Sequence, residues 1–270
     1  MELMKEIRNI SNNLDPNNKN EEFLSEINVK LKESENRLRE LSERKDKFFS
    51  IISHDLRNPF HALIGMSDLL VNNIDDLSKD ELKTIGEGIN KSAKNLLNLV
   101  DNLLEWSRIQ SDKINIKPST FKLYPFVNKI ISVLQGNAIN KKIQIENIID
   151  NNIKVTADKV MLTSIIQNLL SNAIKFTGEG GYIIISQKSN DKIIEISIKD
   201  TGTGMDSETL RKLFILGEKN SKPGTADEKG SGLGLILCRE LVEKNGGKIY
   251  VDSKLNRGTT ISFSLPIVNL

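Results

Sequence analysis

Thirteen of the 17 glycines lie at or beyond Gly178, among short β-rich runs, whereas the first half of the chain carries long apolar stripes at helical spacing. A single helical bundle or a single sheet cannot satisfy both patterns. A length of 270 residues is enough for two separate cores. In the first part Ile27, Leu31, Leu38, Leu41, Phe48 and Ile52 fall on heptad steps, with Ser34 and Lys45 as weak places in the seam. An amphipathic helix on a globular body would show this pattern too. A parallel coiled coil is favoured because the stretch leads straight into the next helix. A polar break at 12–18 precedes it.

Further on, Phe60, Leu63, Met66 and Leu70 continue an apolar face, and 72–76 interrupts it. Ser78 with Glu81 three residues later reads as a capping box opening a second helix. That helix carries Leu82, Ile85, Ile89, Ala93, Leu96, Val100 and Leu103 as its stripe. One such hairpin cannot cover its own apolar surface, so two copies are expected to pair into a homodimeric four-helix bundle. Residues 111–119 read as a polar connector. Helices are then predicted at about 123–140, 158–176, 207–214 and 233–244, and strands at 182–186, 193–198, 248–251 and 259–265. The fold class expected is therefore multidomain: an all-α hairpin followed by an α+β two-layer sandwich.

Charge and cysteine content narrow the function. Thirty-eight basic against 36 acidic residues leave a formal charge of +2, which argues against nucleic-acid binding as the main purpose. Cys238 is the single cysteine, so an internal disulfide and a multi-cysteine zinc site are excluded. No run reaches the roughly 18 apolar residues of a membrane span, and no signal-peptide pattern opens the chain. A cytoplasmic protein without membrane contact is expected, whether whole or as the cytosolic part of a longer receptor.

The segment Ser53-His54-Asp55-Leu56-Arg57-Asn58-Pro59 holds the most chemistry. A neutral imidazole is a usable nucleophile near neutral pH, and an adjacent acid can fix which ring nitrogen is free to attack. Asn58 shares the helical face of His54 one turn on. Pro59 lacks the amide that would bond to the Asp55 carbonyl, so a bend is expected there. His61, the other of two histidines, stands seven residues from His54, roughly 10.5 Å along a straight helix. That is too far for a shared metal, and His61 reads as a polar face residue.

Three later segments join it. They are Asn168-Leu169-Leu170-Ser171-Asn172-Ala173-Ile174-Lys175-Phe176-Thr177, Asp200-Thr201-Gly202-Thr203-Gly204-Met205 and Gly230-Ser231-Gly232-Leu233-Gly234-Leu235. Asn168 and Asn172, four apart on one helix, can turn amide oxygens to one cleft, and Mg²⁺ needs only one or two protein oxygens beside phosphates. Asp200 at a strand end can accept from an exocyclic amine, with Gly202 and Gly204 permitting close backbone approach. Gly230, Gly232 and Gly234 precede or open a helix whose free amides can cradle phosphate, and no Walker lysine follows.

In this order and spacing the four segments resemble the sensor histidine kinases of two-component signalling: their phospho-acceptor box, N box and two glycine boxes, over about 46–266. The resemblance implies an ATP-dependent kinase that phosphorylates His54, with Asp55 and Asn58 assisting. It makes Asn172 the Mg²⁺ ligand, with Asn168 as its polar partner. It also puts Lys175, Phe176, Asp200, Gly202, Gly204, Gly230, Gly232, Gly234, Leu235 and Thr259 at the nucleotide. Phe214 resembles the family's F-box phenylalanine, and 215–229 its polar lid, in which Lys222 and Lys229 are charges at the surface or at phosphate. The partner implied is the receiver domain of a response regulator. The implied domains are a leader at 1–22, a signalling coiled coil at 23–46, a dimerisation and phosphotransfer domain at 47–112 and an ATP-binding domain at 119–270. Gyrase-type, mismatch-repair and chaperone ATPases share the last fold but place a glutamate four residues before the Mg²⁺ asparagine. Asn168 stands there and cannot activate water, which favours transfer over hydrolysis. A non-catalytic, nucleotide-gated dimerisation module is the remaining alternative, against which His54, Asn172 and both glycine boxes count.

Overall fold

The structure, a computed structural model, describes residues 19–110, 116–190, 192–215, 223–226, 228 and 232–267, with backbone alone at 19–23, 40, 41, 44, 48, 51, 105, 106 and 108–110. The expected leader up to residue 18, the side chains of Leu41 and Phe48, Lys222, Lys229 and Gly230 lie outside the described residues. The chain divides after Ser53 into two compact units. The division falls within the first helix, α1 (Lys19–Asn73).

In the first unit Leu24, Val29, Leu31 and Leu38 are exposed, and Ile27 is half-buried. Helical pairing along this stretch is ionic: Lys30 with Glu26 at 3.9 Å and Arg39 with Glu43 at 3.2 Å, each four residues apart. Exposed pairs of this kind are worth only about 0.3–0.5 kcal/mol each. Of the heptad positions described, Leu31 and Leu38 are open to solvent, whereas Ile52, at the end of this unit, is buried.

The second unit begins with the hairpin. Its first arm is α1 from His54, which stays helical through Pro59, and its second is α2 (Lys79–Gln110). The Ser78 amide donates to Glu81 Oε2 at 2.9 Å, and the Glu81 amide donates to Ser78 Oγ at 3.3 Å. This is the expected capping box, satisfying two amides that a helix end leaves unpaired. Ser78→Ala should destabilise the start of α2 by about 1 kcal/mol, read as roughly five-fold faster amide exchange at Glu81 and Leu82. Unchanged exchange there would show that the cap contributes nothing.

Leu63, Met66 and Leu70 are half-buried, as are Leu82, Ile85, Ile89, Leu96 and Leu103, and Leu99 is buried. The buried stripe of α2 runs through Ser92 and Leu99, whereas Ala93 and Val100, expected on it, are exposed. Steps of three and four from Ile89 reach Ser92, Leu96, Leu99 and Leu103, so the expected stripe holds at Leu82, Ile85, Ile89, Leu96 and Leu103 and moves by one residue only at 92 and 99. Phe60, Ile64, Leu97, Val100 and Leu104 remain exposed.

The sandwich follows: β1 (Pro118–Lys122), α3 (Leu123–Asn140), β2 (Gln144–Asn147), β3 (Lys154–Asp158), α4 (Lys159–Phe176), β4 (Tyr182–Ser189), β5 (Ile193–Asp200), α5 (Ser207–Lys212), α6 (Gly234–Lys244), β6 (Ile249–Ser253) and β7 (Thr259–Pro266). Five strands form one sheet in the order β2-β4-β5-β7-β6, parallel only between β2 and β4. β1 and β3 form a separate antiparallel pair. The expected connector at 111–119 is therefore partly strand, since Pro118 and Ser119 open β1; 111–115 lie outside the described residues.

Alternate residues of the sheet turn to the helices: Ile183 and Ile185 on β4, Ile194, Ile196 and Ile198 on β5, and Ile261, Phe263 and Leu265 on β7. Register brings Ile196 opposite Phe263 and Ile198 opposite Ile261. Val127 and Ile130 of α3, Ile165, Ile166, Leu169 and Leu170 of α4, and Leu237, Cys238 and Leu241 of α6 close the core from above. Cys238 is fully buried, as suits a small apolar residue on a helix. Burying each large side chain contributes about 1.5–3 kcal/mol, which fixes α4 rigidly against the sheet.

Candidate active site

His54 stands on an exposed turn of α1, its side chain 65% exposed. Its Nδ1 lies 3.0 Å from Asp55 Oδ1. An ionised carboxylate can only accept, so Nδ1 carries the proton and Nε2 keeps the lone pair. The nucleophilic nitrogen thus points away from the residue that orients the ring. Asn58, one turn on, is exposed, and so is His61.

A second constellation gathers at the C-terminal end of α4. The helix starts where Asp158 Oδ1 accepts from the amides of Val160 and Met161, at 2.9 and 3.2 Å, a conventional N-cap. Asp158 Oδ2 accepts from the Lys117 amide at 2.9 Å. Eight apolar residues of α4 are buried, which leaves Asn168 and Asn172 half-buried on its other face. The Asn168 amide donates to the Ser164 carbonyl at 3.1 Å. Its Oδ1 would lie 2.9 Å from a Cβ built on Gly234, so the N-terminus of α6 passes directly by. Asn172 makes no side-chain hydrogen bond among the described residues.

Gly234 opens α6, Leu235 follows half-buried, and Gly232 precedes the helix. Leu233 occupies the N-cap position and supplies no side-chain cap. The N-cap residue of α6 therefore contributes no oxygen of its own side chain to the first turn.

Lys175 and Phe176 end α4, with the Lys175 ammonium 4.6 Å from the Phe176 ring centroid. Burial pushes the Lys175 pKa below the ordinary lysine value, partly countered by the Glu228 carboxylate.

Asp200 ends β5 and is 7% exposed. Its Oδ1 accepts from the Gly202 amide at 2.8 Å and the Thr259 amide at 3.1 Å. Oδ2 makes no bond, yet no buried side-chain oxygen or nitrogen lacks a partner among the described residues. Oδ2 must therefore reach solvent as an anchored, outward-facing acceptor. Burial raises the Asp200 pKa, and the two amide bonds oppose that rise. A Cβ on Gly202 would collide with the Phe176 carbonyl oxygen, and one on Gly258 (φ 85°) with the Asp200 carbonyl oxygen. These two positions accept only glycine if α4, Asp200 and β7 are to meet. Gly204 lies two residues on in the same loop, its conformation also left-handed. The Thr259 hydroxyl, expected at the nucleotide, shares a hydrogen bond with Ser253 Oγ at 2.9 Å, and its amide donates to Asp200.

The residues present suit a purine nucleotide with a hard cation. Oδ2 of Asp200 offers an acceptor for an amine, and the N-terminal end of α6 and Lys175 offer positive potential for phosphate. Among the described residues no three His, Cys, Asp or Glu cluster to hold a metal. An ion here would rely on amide oxygens and phosphates, as Mg²⁺ does.

Two family matches cover these constellations. Residues 44–112 match the His Kinase A (phospho-acceptor) domain, and 157–269 match the Histidine kinase-, DNA gyrase B-, and HSP90-like ATPase. The chain belongs to the histidine kinases. Histidine protein kinase DivJ of Caulobacter vibrioides is 30% identical over 84% of this chain and 38% of its own length. Signal transduction histidine-protein kinase BarA of Escherichia coli is 31% identical over 88% of this chain and 26% of its own. The chain thus spans about a quarter to two-fifths of these curated relatives. Two solved histidine kinases share the fold. AdeS of Acinetobacter baumannii has a TM-score of 0.65 at 18% identity, covering 80% of this chain and 98% of its own. ThkA, in complex with the response regulator TrrA, has a TM-score of 0.67 at 23% identity, covering 88% and 66%.

Within this kinase fold several site residues escaped the motif reading. Gly258 was visible only as a glycine before a strand, with nothing to tie it to Asp200. Lys141, Gly224, Thr225 and Glu228 also converge on the end of α4. Among the described residues no helix is long and apolar enough to cross a membrane.

Proposed function

We propose that the chain is an ATP-dependent protein histidine kinase that phosphorylates its own His54 and passes the phosphoryl group to an aspartate of a response-regulator receiver domain. The observation that carries the reading is the His54–Asp55 bond, which frees Nε2 on an accessible helical surface. In the transfer, Nε2 forms a bond to the γ-phosphorus while the bond to the bridging oxygen breaks and ADP leaves. Asp55 then balances the charge that the ring acquires, keeping the Nδ1 proton shared between them. Asn172, supported by Asn168, is proposed to hold the magnesium, and Gly232, Gly234 and Leu235 to present α6 amides to phosphate. When bound, Mg²⁺ neutralises phosphate charge and leaves phosphorus open to attack. Asp200 and Thr259 set the adenine end, Lys175 the phosphate side, and Phe176 a wall beside them.

The exposed Phe60, Ile64, Leu97, Val100 and Leu104 support pairing of two hairpins into a homodimeric four-helix bundle. Residues 23–46 serve as the coiled coil leading into it, 47–112 as the dimerisation and phosphotransfer domain, and 119–270 as the ATP-binding domain. The ThkA–TrrA complex supports a receiver domain as partner, and the cytoplasm is the compartment proposed for the transfer.

Asn58 and Asp55 divide the two directions of the reaction. Asn58 can place a water beside an incoming acyl phosphate from one turn away but cannot act as acid or base. Asn58→Ala should therefore lower dephosphorylation of the regulator about ten-fold or more while autophosphorylation changes little. Asp55→Asn should do the reverse, since orientation and charge balance are lost from the attacking ring. Rates of both reactions for both variants decide it, and equal losses in the two directions would count against the division.

A further inference from the structure

Lys141, at the C-terminal cap of α3, is a cation that no recognised motif includes. Its side chain is only 13% exposed. The ammonium donates to the carbonyls of Ile174 and Lys175 at 2.9 and 3.0 Å, and to Glu228 Oε1 at 3.0 Å. All three donors of the group are thereby used. Ile174 and Lys175 belong to the last turn of α4, where carbonyls lack intrahelical partners and the helix end is negative. Glu228 lies two residues before Gly230, in the segment that leads into α6.

The same carboxylate reaches back to its own segment. Glu228 Oε2 accepts from the Ala226 amide at 2.8 Å, and the Glu228 carbonyl accepts from the Gly224 amide at 2.9 Å. Thr225 adds two further ties, its amide to the Lys175 carbonyl at 3.0 Å and its hydroxyl to the Thr177 carbonyl at 2.8 Å. A Cβ on Gly224 would stand 2.6 Å from Lys175 Cγ and 2.8 Å from the Lys175 carbonyl oxygen, so the segment lies flat on the end of α4.

We infer that Lys141 and Glu228 form a clamp that positions both Lys175 and residues 223–226 for nucleotide binding. The clamp makes no contact with substrate; Lys141 is a positioning residue. It links three separate stretches, α3, the end of α4 and the approach to α6, through one partly buried charge. This inference rests on the ATP reading above. Geometry gives the link its strength: Lys141 is largely buried, Glu228 is partly so, and each is also bonded to backbone, so the pair couples more strongly than one standing free at the surface. Loss of either side chain frees the 223–228 segment and lets Lys175 drift from its place.

The test is a double-mutant cycle on Lys141→Met, Glu228→Ala and the pair, in the full chain. Binding of a non-hydrolysable ATP analogue with Mg²⁺ is measured by calorimetry, and exchange of the Gly224, Thr225 and Ala226 amides without nucleotide. Each single variant should weaken binding about ten-fold, and the double should be no weaker than the worse single. The KM for ATP in autophosphorylation should rise by a like factor while kcat at saturation stays within about two-fold, and the three amides should exchange faster. Glu228 is at the surface edge of the clamp, so Glu228→Ala keeps the test open even if Lys141→Met fails to fold. Analogue affinity equal to wild type in the folded variants, or additive losses in the double, overturns the clamp alone. A wild-type chain that binds no nucleotide overturns the ATP reading and the clamp together.

Discussion

His54→Gln abolishes autophosphorylation, with label falling to background, and leaves nucleotide affinity within about two-fold of wild type. Glutamine keeps a polar side chain of similar reach but has no nitrogen lone pair that can attack phosphorus. The side chain of His54 is largely exposed and its one bond is to its neighbour Asp55, so the substitution removes no packing. Surface changes of this kind alter stability by about 0.5 kcal/mol or less. The proposed nucleotide site is built from α4, the Asp200 loop and α6, none of which uses His54. Label is followed on the protein after incubation with γ-labelled ATP, and affinity by calorimetry on the same preparation. Label that persists on histidine in this variant would move the acceptor to His61, the only other imidazole in the chain.

Asp200→Asn costs nucleotide affinity on the order of 100-fold, about 3 kcal/mol, without unfolding the sandwich. The substitution is nearly isosteric, and its effect follows from the direction of hydrogen bonds. Oδ1 already accepts from the Gly202 and Thr259 amides, and Oδ2 is the free acceptor. An asparagine that keeps its oxygen toward those amides turns an NH₂ donor to the amine it should receive. Flipped, it sets the NH₂ against two backbone donors inside a buried site. Either arrangement leaves a buried group unpaired. Because burial raises the Asp200 pKa, wild-type affinity should begin to fall on acidification at a higher pH than an exposed aspartate would dictate. Inosine triphosphate, which has a carbonyl in place of the exocyclic amine, should bind wild type as weakly as ATP binds the variant. Equal affinity of wild type and Asp200→Asn for ATP would remove Asp200 from the adenine site.

What could be read from the sequence follows from how local each cause is. The start of α4 was legible because Asp158 caps it within three residues, and α2 because Ser78 and Glu81 do the same. Helix α3 was placed at its observed bounds by its apolar spacing alone. β1, β2 and β3 were missed. They are four or five residues long, β1 and β2 alternate exposed and half-buried positions, β3 buries only Val155, Ala157 and Asp158, and β1 begins with a proline. Their pairing is set by partners such as Thr120 opposite Thr156, 36 residues apart. The one-residue shifts at 92 and 99 on α2 have a similar origin: Ser92 and Ala93 are equally weak markers, and Leu99 and Val100 are equally apolar, so tertiary packing decides between them.

The site divides along the same line. His54 and Asp55 are neighbours, and Asn168 and Asn172 are one turn apart, so their geometry follows from helical periodicity. The anchoring of Asp200 depends on Gly258 and the Thr259 amide, 59 residues away in the latter case. Lys141 and Glu228 are separated by 87 residues. Neither relation has a local signature. It arises when β5 pairs with β7 and when the 223–228 segment lies down on α4.

The most direct test of phosphoryl transfer to His54 is incubation of the purified chain with γ-labelled ATP and Mg²⁺, followed by acid and alkali treatment of the labelled protein. Transfer to an imidazole nitrogen predicts one label per protein at most, stable in alkali, lost in acid, confined to the peptide containing His54 and abolished by a chelator. Release of labelled phosphate with no label on the protein, or a label that survives acid, would contradict it.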